Sequence, residues 1–204
     1  MFYEPAKGHG LPHDPFKAIV APRPIGWIST RNGDGAVNLA PYSFFNALSG
    51  NPPLVWFSSE GEKDSVTFAR ESGVFVVNLA GRALAEKMNA TSVDAPRGVN
   101  EFGYAGLTAV PARLVDAPRV AEAHAALECR VTEIHRPKDL DGRPVGAVVV
   151  TGQVVGVHLD EAAMTDGLFD VVKAGNLSRL GYMDFSAVTE VFQMRRPRWR
   201  EGDV

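Results

Sequence analysis

The chain holds a single cysteine, Cys129, among its 204 residues. That excludes a disulfide framework within the chain and suits a reducing cytoplasm. There is no excess of positive charge: 21 Lys and Arg against 24 Asp and Glu give a formal net charge of −3, with a sequence pI near 6.0. Nucleic acid is therefore not the expected partner. No apolar run approaches the roughly 18 residues that a membrane span requires. The opening Met1-Phe2-Tyr3-Glu4-Pro5 lacks the basic region and apolar run of a leader. These absences predict a cytoplasmic protein with no membrane partner. Without secretion, the glycosylation patterns at Asn89-Ala90-Thr91 and Asn176-Leu177-Ser178 carry no meaning.

Familiar catalytic signatures are missing as well. No G-x-G-x-x-G follows a strand pattern, Gly61-Glu62-Lys63-Asp64-Ser65 lacks the Gly-Lys-Ser/Thr of a phosphate loop, and no G-x-S-x-G is present. His9 and His13 are four apart, but Gly10 and Pro12 break the helix that a metal pair at that spacing needs. His124, His135 and His158 fall one to a segment and read as structural. Asp139 and Asp141 sit in an evident turn and read as solvated.

What is present is enough for one packed domain, with 45% hydrophobic and 22% charged residues. Residues 1–15 form an irregular arm punctuated by Pro5, Pro12 and Pro15, residues 16–190 form the body, and residues 191–204 form a basic tail carrying Arg195, Arg196, Arg198 and Arg200. Ile25–Thr30 and Val37–Phe45 flank Asn32-Gly33-Asp34-Gly35, a strong hairpin-turn sequence. Leu54–Ser59 and Val74–Leu79 read as buried strands. Asp64–Ser72 reads as a helix with Asp64 or Ser65 as its N-cap and Gly73 beyond its end. Ala83–Ala90 reads as a second helix. Leu127, Cys129 and Val131 alternate with polar residues, as in a half-exposed strand with the thiol on its apolar face. Ala147–Leu159 is the longest strand, and Gly152 and Gly156 within it signal a bulge or a close approach. Between Thr91 and Arg119, prolines and glycines predict loops. The sum is a mainly β protein, a small antiparallel barrel with short helices.

Four stretches concentrate polar handles on flat apolar surface: Arg23-Pro24-Ile25-Gly26-Trp27-Ile28-Ser29-Thr30, Asn38-Leu39-Ala40-Pro41-Tyr42-Ser43-Phe44-Phe45-Asn46, Asn51-Pro52-Pro53-Leu54-Val55-Trp56-Phe57-Ser58-Ser59, and Lys63-Asp64-Ser65. Asn38, Ser43 and the amides beyond Pro41 can meet a ring with several carbonyl and nitrogen positions. Phe44, Phe45 and Trp27 can wall it, although alternation turns at least one phenylalanine into the core. Ser29 and Thr30 can reach a polyol chain. Lys63 and the helix start at Asp64 and Ser65 offer a cation, a hydroxyl and free amides to a phosphate. Arg23, held extended between two prolines, suits a second anion or a partner chain.

In order and spacing these stretches, followed by GLTAVPA, VTGQVVGVHLDE and LSRLGYMDF, resemble the flavin reductase-like family of FMN-binding split barrels. The resemblance spans most of residues 13–190. It implies a Greek-key split barrel and a cofactor site drawn from Ser29, Thr30, Asn38, Ala40, Pro41, Ser43, Phe44, Phe45, Ser58, Lys63, Asp64 and Ser65. It implies FMN in preference to FAD, NAD(P)H as electron donor, and hydride transfer needing no dedicated catalytic side chain. It further implies a homodimer with flavin near the interface, Glu101-Phe102 and Leu180-Gly181-Tyr182 reaching the partner's flavin, and a monooxygenase or other redox protein as partner. Many relatives place a histidine where this chain has Ala147. That leaves open a flavoredoxin-like electron carrier without a nicotinamide site, or a flavin-binding module without turnover.

Overall fold

The structure, a computed structural model, describes residues 1–199. Seven strands make its main sheet: β1 (Gly26–Arg31), β2 (Val37–Tyr42), β3 (Phe45–Gly50), β4 (Pro53–Glu60), β5 (Val74–Leu79), β6 (Ala125–His135) and β7 (Ala147–Leu159). Their spatial order is β2-β1-β5-β6-β7-β4-β3, antiparallel throughout. The two edge strands, β2 and β3, follow one another in sequence with only Ser43 and Phe44 between them. Two residues reach only about 7 Å, so the sheet must curl until its edges nearly meet. The Ser58 amide donates to the Phe44 carbonyl at 2.8 Å, which extends the β3–β4 ladder back to the bend. The result is the curled antiparallel half-barrel expected of a split barrel. The expected strand through Phe45 is corrected here: the chain leaves the sheet at Tyr42 and starts a separate strand on the opposite edge.

The β1–β2 hairpin turns where expected. Asn32 Oδ1 accepts the Asp34 and Ala36 amides at 3.1 and 2.8 Å, and Gly35 takes φ 86°, a conformation that glycine adopts without steric cost. Helix α1 (Asp64–Ser72) links β4 to β5 and ends at Gly73, φ 71°. It buries Val66 and Ala69 against Ile28, Phe57, Phe75 and Val150 inside the half-barrel. The opposite faces of β1 and β2 are covered too: Trp27 and Leu39 pack with Met88, Phe102 and Val120. Helix α2 (Ala85–Ala90) follows a 3-10 turn, and α3 (Glu101–Tyr104), capped by Asn100 Oδ1, lies in the stretch read as loops.

The ladder between β6 and β7 shifts register between Thr151 and Gly152 and between Val154 and Gly156, where the glycines predicted irregularity. A Cβ on Gly152 would stand 2.5 Å from Phe75 Cε1, and Phe75 is fully buried. Gly152→Ala should therefore cost about 1–3 kcal/mol by overpacking, read as a lower urea midpoint at unchanged slope. Cys129 is buried and its thiol is pushed up to about 12 by burial and then by Glu128, so it is chemically quiet. No helix among the described residues is long and apolar enough to cross a membrane. Residues 191–199 carry no helix or strand, and the end of the basic tail, residues 200–204, lies outside the described residues.

Candidate functional site

Strand β2, the start of α1 and the loop through Arg97 enclose a cleft of about 230 Å³, lined among others by Asn38, Ala40, Pro41, Lys63, Asp64 and Glu101. β2 is an edge strand, and its exposed rim has few donors. The Leu39 amide turns away from β1 and donates to Glu101 Oε2 at 3.0 Å, and Pro41 has no N–H to offer. A proline and a capped amide keep such an edge from pairing with another chain.

The N-cap of α1 is Lys63, extended at φ −76° and ψ 170°, with no side chain closing the helix. This corrects the expected N-cap at Asp64 or Ser65. The amides of Val66 and Thr67 turn back to the Lys63 carbonyl, while those of Asp64 and Ser65 meet no acceptor among the described residues. Asp64 instead pairs with Arg97, Oδ1 to Nε, at 2.9 Å. The Asp64 charge at the cleft is thereby paired. The Lys63 ammonium pairs with no carboxylate among the described residues.

Behind this rim Asn38 donates from Nδ2 to Ser65 Oγ at 2.7 Å, both residues being buried. Burial pushes the neighbouring Tyr42 phenol up against the opposing pull of the Ser65 and Ser59 hydroxyls. Burial likewise pushes the Glu101 carboxyl up, with its own and the Leu39 amide pulling back and Asp64 adding to the rise. Glu101 lines the cleft of its own chain, and Phe102 is 1% exposed in the core.

Several expected residues lie elsewhere. Ser29 is fully buried; its Oγ donates to the Pro118 carbonyl at 2.5 Å and accepts from Asn78 Nδ2 at 3.0 Å. It holds a loop onto β1 and is not open to a ligand. Thr30 is fully buried with an unpartnered hydroxyl, directly across the ladder from Asn38. Phe45 packs into the half-barrel, where its ring would meet a Cβ on Gly26 at 2.6 Å. Phe44 turns outward, with Lys17 and Arg23 at 5.8 and 6.0 Å from its ring centroid. Ser58 is half-buried and shares the outward parity of Trp56 on β4; its backbone, not its hydroxyl, bonds to the Phe44 carbonyl. The structure thus brings together Asn38, Ala40, Pro41, Lys63 and Asp64, with Ser65 behind them. Ser43 lines an adjoining cavity of about 240 Å³ that shares Pro41 and Ser92 with the cleft. A third trough of about 820 Å³ continues from it, sharing Met88, Asn89, Arg179 and Phe185. Arg97 was missed by sequence reasoning; its one signal was a lone arginine between Pro96 and Gly98 in an otherwise unreadable loop.

Glu101 permits a test of the electrostatics. Glu101→Gln keeps an acceptor for the Leu39 amide and removes a charge that the cleft holds at a cost. A carboxyl raised by folding contributes stability below its unfolded pKa, and loses it as pH rises through the folded value. The variant is therefore expected to be the more stable protein at pH 7 and to lose that advantage below pH ~4, as urea titrations at the two pH values would show.

A seven-stranded antiparallel sheet curled until its edges nearly meet, with a helix plugging it and a cleft along its β2 edge, defines a split barrel. Residues 20–175 match the flavin reductase like domain, and the chain belongs to that family. A protein of Halalkalibacterium halodurans is 34% identical over 183 residues, 87% of each chain. Nitrilotriacetate monooxygenase component B from Bacillus cereus superposes with a TM-score of 0.86 at 26% identity, covering 95% of this chain and 98% of that one. Flavoredoxin of Desulfovibrio vulgaris (Miyazaki F) superposes with a TM-score of 0.75 at 23% identity, covering 85% and 90%.

Proposed function

We propose that the protein is an FMN-binding oxidoreductase working as an NAD(P)H-dependent flavin reductase. The observation that carries this reading is the uncapped start of α1, with Lys63 in no ion pair among the described residues, opening into a cleft walled by the β2 edge. Free amides, a helix N-terminus and a cation suit a phosphate dianion. The residues present fit the group: Lys63, Arg97 and the Asp64 and Ser65 amides would hold the phosphate, and Asn38 and the Ala40–Ser43 backbone would lie along the ring. The small volume of the cleft, about 230 Å³, favours FMN over FAD. When bound, the flavin supplies two-electron chemistry, taking a hydride from a reduced nicotinamide. The chain's own part is to position and to exclude water, in keeping with the lack of a conspicuous acid or base.

Family membership and the likeness to a monooxygenase component support delivery of reduced flavin to a partner monooxygenase. Phe16, Ile19 and Met183, all exposed, favour a homodimer, which sedimentation would detect; the buried thiol is consistent with a cytoplasmic setting. A second reading, an FMN electron carrier without a nicotinamide site, is favoured by Ala147 standing where many relatives carry a histidine. An anaerobic spectrum of FMN-loaded protein separates the two. Rapid loss of the flavin band near about 450 nm on adding NADH or NADPH supports the reductase. A bound flavin that answers only to dithionite supports the carrier, and protein that takes up no FMN overturns both.

A further inference from the structure

We infer that the 240 Å³ cavity adjoining the cleft is a subsite for a small organic carboxylate, seated by Arg23, Arg179 and Lys17. Its standing as a binding site rests on geometry alone, and its role as the seat of a second reactant rests on the reading above. Three cations line this cavity, and no Asp or Glu does. None of the three lies within ion-pair distance of a carboxylate among the described residues.

Arg23 is 7% exposed. Its guanidinium donates to the Lys17, Val20 and Leu180 carbonyls, and its Nε has no partner. Carbonyl dipoles orient such a group without neutralising it, and a buried charge without a counter-charge is costly. Strand register sharpens the point. Arg23 and Arg179 are direct partners across an antiparallel ladder, where like charges facing one another destabilise. An anion between them turns that repulsion into attraction.

The rest of the lining selects the kind of anion. Arg179 lies over the Phe185 ring at 4.4 Å, and Ile25, Met88 and Leu180 add apolar wall. A bare inorganic ion would leave that wall against water, whereas a flat apolar body bearing one carboxylate covers it. Guanidinium forks match carboxylates in shape as well as in charge.

The test is calorimetric titration of the full chain, first without FMN, using sodium benzoate, neutral benzamide and inorganic phosphate as probes. Benzoate should bind saturably and weaken with rising salt, and benzamide and phosphate should each bind about tenfold more weakly or worse. Because Arg23 ties the N-terminal segment to the Leu180 loop, the variant of choice is Arg179→Gln, with folding checked by circular dichroism. It should weaken benzoate about tenfold while leaving benzamide unchanged. No saturable benzoate binding, phosphate binding as tight as benzoate, or indifference to Arg179→Gln in folded protein would overturn the subsite. Competition between FMN and benzoate would also overturn it, since the cations would then belong to the flavin's own site. Benzoate binding by protein that takes up no FMN would uphold the subsite while the flavin reading fails.

Discussion

Replacing Glu128 by alanine is expected to cost about 3–5 kcal/mol, because several hydrogen-bonding partners of one buried carboxylate are left unsatisfied at about 1–3 kcal/mol each. Glu128 is 1% exposed. Its two oxygens accept the Arg113 and Leu114 amides at 2.7 and 2.6 Å, and His158 Nε2 lies 2.5 Å from Oε1. Alanine would leave two amides and an imidazole without their acceptor under the loop they anchor. For a chain of this size the loss corresponds to a fall in Tm on the order of 10 °C. It should leave m nearly unchanged, because the surface exposed on unfolding stays the same.

The same carboxylate gives the stability a pH dependence of known sign. Burial pushes Glu128 up, but the Arg113 amide, His158 and the Leu114 amide outweigh it and hold the group below the usual carboxylate range. A depressed carboxylate contributes stability above its unfolded pKa, and that contribution is lost as pH falls through the folded value. Wild type and Glu128→Gln should therefore differ most near neutral pH and converge below pH ~4. Asp160 and Asp170 are depressed as well, but they act equally in both proteins and cancel in the difference. Urea curves that keep a constant separation from pH 7 to pH 3 would rule out the ionised carboxylate as the source.

Glu128 also marks where the sequence became hard to read. The alternation of Leu127, Cys129 and Val131 gave β6 and its inward face, and Cys129 is buried as predicted. Glu128, on the other face, read as exposed, because nothing local says that a loop will fold over the sheet's outside. Ser29 failed for the same reason: a hydroxyl on a strand covered on both faces is tied up, however well its residue type suits a ligand. Local chemistry carried the rest. Asn32–Gly35 turns, Gly73 ends α1, and Gly152 and Gly156 mark register shifts. The split at Ser43 was hidden because Val37–Phe45 has one continuous strand composition. Only the curl of the whole sheet makes two edges of it. Of the cleft, the residues on β2 and at the start of α1 were legible, while Arg97 needed a fold of its loop that no periodicity announces.

Lys63→Ala is expected to weaken FMN binding by about 1.5–3 kcal/mol, the range for a hydrogen bond to a charged group, or roughly 10- to 150-fold in Kd. Lys63 is exposed and in no ion pair among the described residues, so its removal should shift stability by no more than about 0.5 kcal/mol. Riboflavin, which has the ring and polyol but no phosphate, is the control: its affinity should not change. Arg97→Ala should hurt FMN binding more than the loss of one exposed cation would suggest, because it also leaves Asp64 facing the phosphate without its partner. Adding Asp64→Asn to Arg97→Ala should then recover part of the loss, a coupling that a double-mutant cycle isolates. If Lys63→Ala weakens riboflavin as much as FMN, Lys63 acts through the shape of the cleft, and the phosphate must be sought elsewhere. If FMN alone suffers and Asp64→Asn rescues, the open end of α1 is where the phosphate binds.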